Sequence, residues 1–453
     1  MNKIIVTVIS LILCFLCMII KKQDLISLGS LIYLIQFISI TVILFKEKKN
    51  YLYFFSPSYL CILYLSLNFI VGHYVAYKGI GDLRYYNLLR DYDNIAFIII
   101  FFLLCNLFVF IAIDFKRIEN TSLIRFHLKN KISSICGYVI LFVIFLLCFI
   151  NINLSFWGGS GDFGYPLRLG LAIILIYIVN RKQVYRYFYY LLLLVLFLVT
   201  SYDSKREILY CVILIVLFEL LKKDRSFTFG LKQLLSFLFI GVIIFLIITT
   251  SSIARGYGQY DVKNPIESIF HVNNYIHSEN FIDNLADNFE LPCDYGNTCT
   301  AINYVYKGET NLLYGTTFLK FIFTLIPTNV FPEKPKRMVE IFTQKFSPAF
   351  AAKGGSYPIF IYAEAFWNFN LLALFFLYII FSFFNRLYSK MIIYLKQDII
   401  NIYSFFLIYM YITIIQFIRG SGFDLWLVYA LIAIPTSYMA IKLFKLDKSV
   451  KKQ

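Results

Sequence analysis

LIITTSSIARGYGQYDVKNP (residues 246–265) is the place where an apolar chain turns polar. The run 233–253 holds no charged residue, whereas Arg255, Asp261 and Lys263 follow at once. Polar, turn-rich sequence of mixed charge then continues to residue 357, making a segment of 104 residues. Long connections of that kind are usually functional.

Away from this boundary the chain has the opposite character. Its 453 residues are 60% hydrophobic, 19% aromatic and only 15% charged, with mean hydropathy +0.73. This composition specifies an all-α polytopic membrane protein. A hydrocarbon core about 30 Å thick takes roughly 20 apolar residues per helix. The apolar runs predict about twelve spans, at 4–20, 25–45, 51–77, 95–113, 132–152, 167–180, 185–200, 207–221, 233–253, 358–384, 398–418 and 424–443. The expected organisation is nine helices in 1–253, one large loop at 254–357, and three helices with a basic tail in 358–453. The first run reads as a retained helix, because KKQD at 21–24 leads into the next without a small-residue cleavage site.

Lys and Arg set the orientation. With the N-terminus in the cytoplasm, inner segments hold 24 of the 42 basic residues. Outer segments hold 18, nine of them in the long loop. Both termini are then cytoplasmic and the loop is extracytoplasmic. The net charge of +16 is on this reading a topology signal and does not imply a nucleic-acid partner. Within the loop, residues 254–295 carry net −5 and residues 296–357 net +4. The halves could fold on each other or be two solvated faces.

Seven of nine cysteines fall in spans, as small hydrophobes do. The other two, Cys293 and Cys299, share the loop as CDYGNTC. In an oxidising compartment they are candidates for a local disulfide. The four histidines are dispersed, with no Cys/His spacing for zinc. No metal and no cofactor is expected.

Spans 6 to 8 are short, so their outer connections are expected to dip toward the membrane. SYDSKRE (201–207) would place Lys205 and Arg206 there, and WGGSGDFGYPLR (157–168) ends in Arg168. Arg255 follows span 9, and Arg419 opens the turn RGSGF between spans 11 and 12. Each alone could anchor to headgroups. Four together, on the side where positive charge is normally depleted, point to a shared anion such as a diphosphate. The loop ends in GTTFLKFIFTLIPTNVFPEKPKR (315–337), which predicts an interfacial or re-entrant helix within 312–331. Lys334, Lys336, Arg337 and then Lys353 follow as candidate substrate contacts. Glu364 lies in the first turns of span 10, placed either for a structural ion pair or as a general base, with Glu333 and Asp261 behind it.

These pieces resemble the Wzy-type repeat-unit polymerases of bacterial O-antigen and capsule synthesis. The resemblance rests on YDSKRE, the ARG after span 9, IPTNVFPEKPKR, GGSYPIFIYAEAFWNFN and the RG at 419–420, in that order and sidedness. Arg255 and Arg419 lack the glycine of an R-x10-G pattern found in some members. The family implies a GT-C-like glycosyltransferase architecture in the bacterial inner membrane. It implies metal-independent glycosyl transfer at the outer face, using undecaprenyl-diphosphate-linked glycans, with a chain-length regulator as a possible partner. Arg206, Arg255 and Arg419 would hold the diphosphate, and Glu364 would take the acceptor hydroxyl proton. Two other activities suit a similar plan. An O-antigen ligase would need an outer-loop histidine, His271 or His277. A lipid-linked oligosaccharide flippase would have no use for the long loop.

Overall fold

The computed structural model describes residues 2–47, 50–80, 93–120, 134–149, 164–180, 185–200, 205–223, 265–288, 291–323, 330–397, 401–420 and 422–443, with a few isolated positions between them. Among the described residues every regular element is a helix. In chain order these are α1 (Asn2–Ile19), α2 (Lys22–Phe45), α3 (Asn50–Phe54), α4 (Pro57–Lys78), α5 (Ile95–Ile111), α6 (Phe115–Asn120), α7 (Ser134–Phe149), α8 (Gly164–Asn180), α9 (Arg186–Thr200) and α10 (Lys205–Lys223). The loop region contributes α11 (Pro265–Ile276), α12 (Phe281–Asn288), α13 (Leu291–Tyr306), α14 (Thr316–Phe323), α15 (Met338–Phe346) and α16 (Pro348–Ala352). Last come α17 (Ile361–Phe369), a 3-10 turn (Asn370–Leu372), α18 (Ala373–Lys396), α19 (Ile402–Ile418) and α20 (Gly422–Leu443).

By length and composition three stretches could cross a membrane: Lys22–Phe45, Pro57–Lys78 and Ile361–Lys396, the last interrupted by the 3-10 turn at Asn370–Leu372. Eight shorter apolar helices of 10–17 residues accompany them among the described residues. The expected span 233–253 lies almost wholly outside the described residues. Large apolar side chains such as Phe15, Leu31, Phe142 and Leu191 project outward. A surface of that kind suits lipid and would be an aggregation hazard in water.

Local signals explain the boundaries. The expected span 51–77 divides into α3 and α4, because Ser56 caps a new helix by accepting from the Tyr59 amide and Pro57 occupies its first position. Gly79, in the left-handed conformation, closes α4. α9 has only 15 residues, or about 22 Å at 1.5 Å per residue, whereas α8 and α10 reach 17 and 19 residues, longer than the expected runs 167–180 and 207–221.

Polar side chains tie the first bundle together. Asn106 on α5 donates to Gln36 at 3.1 Å and Ser66 at 3.2 Å, and accepts from the Tyr362 hydroxyl at 2.9 Å. Gln36 donates in turn to Ser10 and to the Leu103 carbonyl. Such bonds join helices where apolar burial gives little preference between neighbours. Phe69 and Phe102 stack across the same seam with centroids 4.1 Å apart.

The expected span 358–384 proves to be two helices running in opposite senses along α5. Tyr362 reaches Asn106, whereas Phe366 packs on Phe97 and Phe101, nearer the start of α5. α18 then runs back: Phe375 meets Phe108, and Asn385 donates to the Ala112 carbonyl. The reversal falls at Asn370, whose φ is 51°. It makes α17 a short buried helix whose residues 361–368 are all buried.

Candidate functional site

The long loop does not stay outside this bundle. α13, which carries the CDYGNTC sequence, packs along α4 and α17. Tyr295, Cys299, Ala301 and Ile302 are all fully buried. The Tyr295 hydroxyl lies 2.6 Å from His73 Nδ1, and His73 Nε2 lies 2.8 Å from the Ile26 carbonyl. A carbonyl only accepts, so Nε2 carries the proton and a neutral ring accepts from Tyr295. Burial raises the Cys299 thiol far above its usual range, an effect the neighbouring Tyr295 hydroxyl partly offsets. Cys293 and Cys299 are free thiols. Six residues apart on one helix, they are separated by about 9 Å of rise, beyond the roughly 7 Å span that a disulfide bridges. The expected local disulfide is therefore absent.

α13 delivers Asp294 to Arg419. The carboxylate is almost completely buried, and its Oδ2 lies 3.9 Å from Arg419 Nε at the end of α19. At that length the contact is an ion pair and not a hydrogen bond. The Arg419 side chain keeps 23% of its surface exposed. The turn that presents it packs hard on the start of α17. Gly420 adopts φ +81°, and a Cβ there would overlap the Ile359 carbonyl. Beside it the Phe360 amide donates to Thr298 Oγ1 at 3.2 Å, and Asn297 Nδ2 donates to the Pro358 carbonyl. Residues 358–360 are thus gripped by α13 on one side and by the Arg419–Gly420 turn on the other.

Glu364 stands just inside this grip, in the first turn of α17 and 2% exposed. The helix begins at Ile361, so Glu364 is closer to its start than the sequence implies. Its Oε1 accepts from Thr317 Oγ1 at 2.9 Å. Thr317 accepts from Asn368 Nδ2, which also donates to the Glu364 carbonyl, and Asn368 Oδ1 accepts from the Gly315 amide. The left-handed Tyr314–Gly315 pair turns the chain into α14 at this point. α14 spans eight residues, a shorter element than the expected helix within 312–331. One turn beyond Thr317, the mostly buried Lys320 lies 3.8 Å from Glu340 on α15.

Of the residues singled out from sequence, Glu364 lies in the first turn of α17, and Arg419 precedes Gly420, which packs on Ile359 just before that helix. Arg168 is buried in α8 and donates to the Leu147 carbonyl at 3.2 Å, near the end of α7. Lys205 and Arg206 lie in the first turn of α10, and their side chains fall outside the described residues, as do Arg255 and Asp261. Lys336 donates to Gln344, and Arg337 lies 3.9 Å from Glu340 in its own helix. Lys334 is half-buried, while Lys353 and Glu333 are exposed. His277 is exposed, with Nδ1 2.8 Å from the Asn273 carbonyl. Asp294, Thr317, Asn368 and Lys320 went unrecognised in sequence. Among the described residues no group of three or more His, Cys, Asp or Glu could hold a metal ion.

The arrangement provides two buried carboxylates, one partly exposed guanidinium and hydroxyl and amide groups that fix a carboxylate rotamer. Chemically, a buried carboxylate can accept a proton and a partly exposed guanidinium can offset negative charge. No protein-family model, curated protein or solved structure matches the chain.

Proposed function

We propose that this chain is a membrane glycosyltransferase that polymerises lipid-diphosphate-linked oligosaccharide repeat units, in the manner of the Wzy-type polymerases. The observations that carry the reading are the buried Glu364 in the first turn of α17, bonded to Thr317, and the Arg419–Asp294 pair, whose following glycine packs on the residues that lead into that helix. In the proposed reaction the terminal hydroxyl of one lipid-linked unit attacks the anomeric carbon of the other glycan. The bond from that carbon to the diphosphate oxygen breaks, and undecaprenyl diphosphate leaves. Glu364 takes the hydroxyl proton. Arg419, oriented by Asp294, offsets the charge growing on the diphosphate, and arginine's planar fork suits phosphate oxygens. Thr317 and Asn368 hold Glu364 in place. Arg206 and Arg255 belong to the same proposal as further diphosphate ligands, and the site faces the extracytoplasmic side of a bacterial inner membrane.

The phenotype of a host lacking the protein separates the possible activities. The polymerase reading expects core glycan bearing a single repeat unit, restored to long chains by the wild type but not by Glu364→Gln. Polymer left on the carrier lipid with none attached would instead identify a ligase. Complete failure of export would identify a flippase.

A further inference from the structure

A second polar site lies away from the head of α17, where α1 begins and α5 ends. It is a cavity of about 730 Å³ between the start of α1, the α5–α6 turn and the middle of α18, within the roughly 300–1,000 Å³ range of small-ligand sites. Lys3, Lys116 and Arg386 line it, with Tyr378 and Ser382 as neutral donors. Of its two carboxylates, Asp114 is engaged by the Arg117 amide, which it caps at 3.1 Å; Glu47 is the other. Lys3 donates to the Ile111 and Ile113 carbonyls, at 2.6 Å each. Two of its three donors are thus engaged, and its charge also interacts with Asp114. Lys116 and Arg386 are exposed and form no hydrogen bond or ion pair among the described residues.

The cavity continues into a surface made for acyl chains. Phe375, Ile379, Ser382 and Arg386 recur at helical spacing along one stripe of α18. Phe375 and Ile379 are 59% and 65% exposed, with Tyr378 beside them at 40%. An apolar, aromatic-edged stripe that ends in an exposed arginine is the pattern of a helix face leaving the bilayer through its headgroups. The positive-inside reading puts this end at the cytoplasmic leaflet, where anionic lipids collect.

We infer that this notch binds the phosphate headgroup of an anionic phospholipid, with Arg386 and Lys116 on the phosphate and the acyl chains along the Phe375–Ile379 stripe. Arginine and lysine together suit a phosphodiester, and the tyrosine and serine hydroxyls suit its ester or glycerol oxygens. The inference is independent of the reaction proposed above.

The test uses the full-length protein in neutral detergent, titrated with dioleoyl phosphatidylglycerol and, separately, with dioleoyl phosphatidylcholine, and read by native mass spectrometry. The expected result is one retained phosphatidylglycerol, preferred over phosphatidylcholine. Its affinity falls about tenfold or more in Lys116→Gln/Arg386→Gln, given what basic side chains contribute at anionic surfaces. Ser382→Glu, which places a negative charge inside the notch, gives the same loss. Equal retention by the wild type and both variants overturns the site. If inorganic phosphate alone displaces the adduct, the anion site stands and the lipid assignment is overturned in favour of a soluble phosphate.

Discussion

α13 and the segment from Lys334 to Lys353 belong to the same 104-residue stretch of polar sequence, yet they behave as opposites. α13 is inserted into the bundle and sends a buried carboxylate to Arg419. The later segment carries more cations and keeps them near the surface: Lys336 donates to Gln344, Arg337 pairs with Glu340, and Lys345 donates to the Glu309 carbonyl over the Tyr304 ring. The difference lies in how each satisfies its polar groups. In α13, Thr298 and Thr300 donate to carbonyls one turn back, at Asp294 and Gly296, so their hydroxyls enter the bundle already satisfied. Long charged side chains have no such internal partner and stay at the surface. Polarity in a sequence therefore does not by itself mark what is outside.

Substitutions can break this comparison or sharpen it. The largest effect is expected on product length. Glu364→Gln and Arg419→Ala should each lower long-chain product by about a hundredfold or more, the scale on which aligned electrostatic groups act. Lys336→Ala and Lys353→Ala should stay within about twofold, since Lys336 is bonded to Gln344 and Lys353 is exposed. Long-chain glycan on gels, normalised to membrane-inserted protein, gives the comparison. Equal losses at all four positions would erase the distinction between the two regions.

Next in size is the grip on residues 358–360. Gly420→Ala combines a strained left-handed residue with backbone overlap at Ile359, and should destabilise by roughly 2–4 kcal/mol. Gly354 also has positive φ but meets nothing within 4 Å, so Gly354→Ala should cost only about 1 kcal/mol. Thermal unfolding of the two variants side by side tests the ordering.

Smaller still is the loss at α13's far contact. Tyr295→Phe removes the 2.6 Å partner of His73 and leaves a buried ring nitrogen unsatisfied, for about 1–3 kcal/mol. The mildest probe is chemical. Cys299 is fully buried and its thiol is held protonated by burial, so it should resist maleimide at pH 8, while half-buried Cys293 reacts first. Rapid labelling of Cys299 in folded protein would mean that α13 is not inserted.

Much of this was legible in the chain. Long apolar runs give the helices, and Ser56–Pro57 and Gly79 mark boundaries by mechanisms visible in any sequence. Glu364 and Arg419 stood out because ionisable groups near helix ends in an apolar chain are rare. Asp294 was hidden by its polar surroundings, where one more carboxylate in an acidic half-loop carries no signal. The reversal at Asn370 was hidden because AFWNFNLLALFF reads as one continuous apolar helix, and nothing in composition reports a single positive φ. Arg168 was legible as a charge at a helix end, but its bond to the Leu147 carbonyl, which ties α8 to the helix before it, was not, because composition names no partner.

Glycosyl transfer between lipid-diphosphate-linked glycans, with Glu364 as the proposed base, can be followed with the purified chain in liposomes, supplied only with the undecaprenyl-diphosphate-linked repeat unit and a chelator. The account predicts a ladder of products two or more units long from the wild type and none from Glu364→Gln at equal reconstitution. A wild type that makes no dimer of the unit, or a Glu364→Gln protein that makes the full ladder, would contradict it.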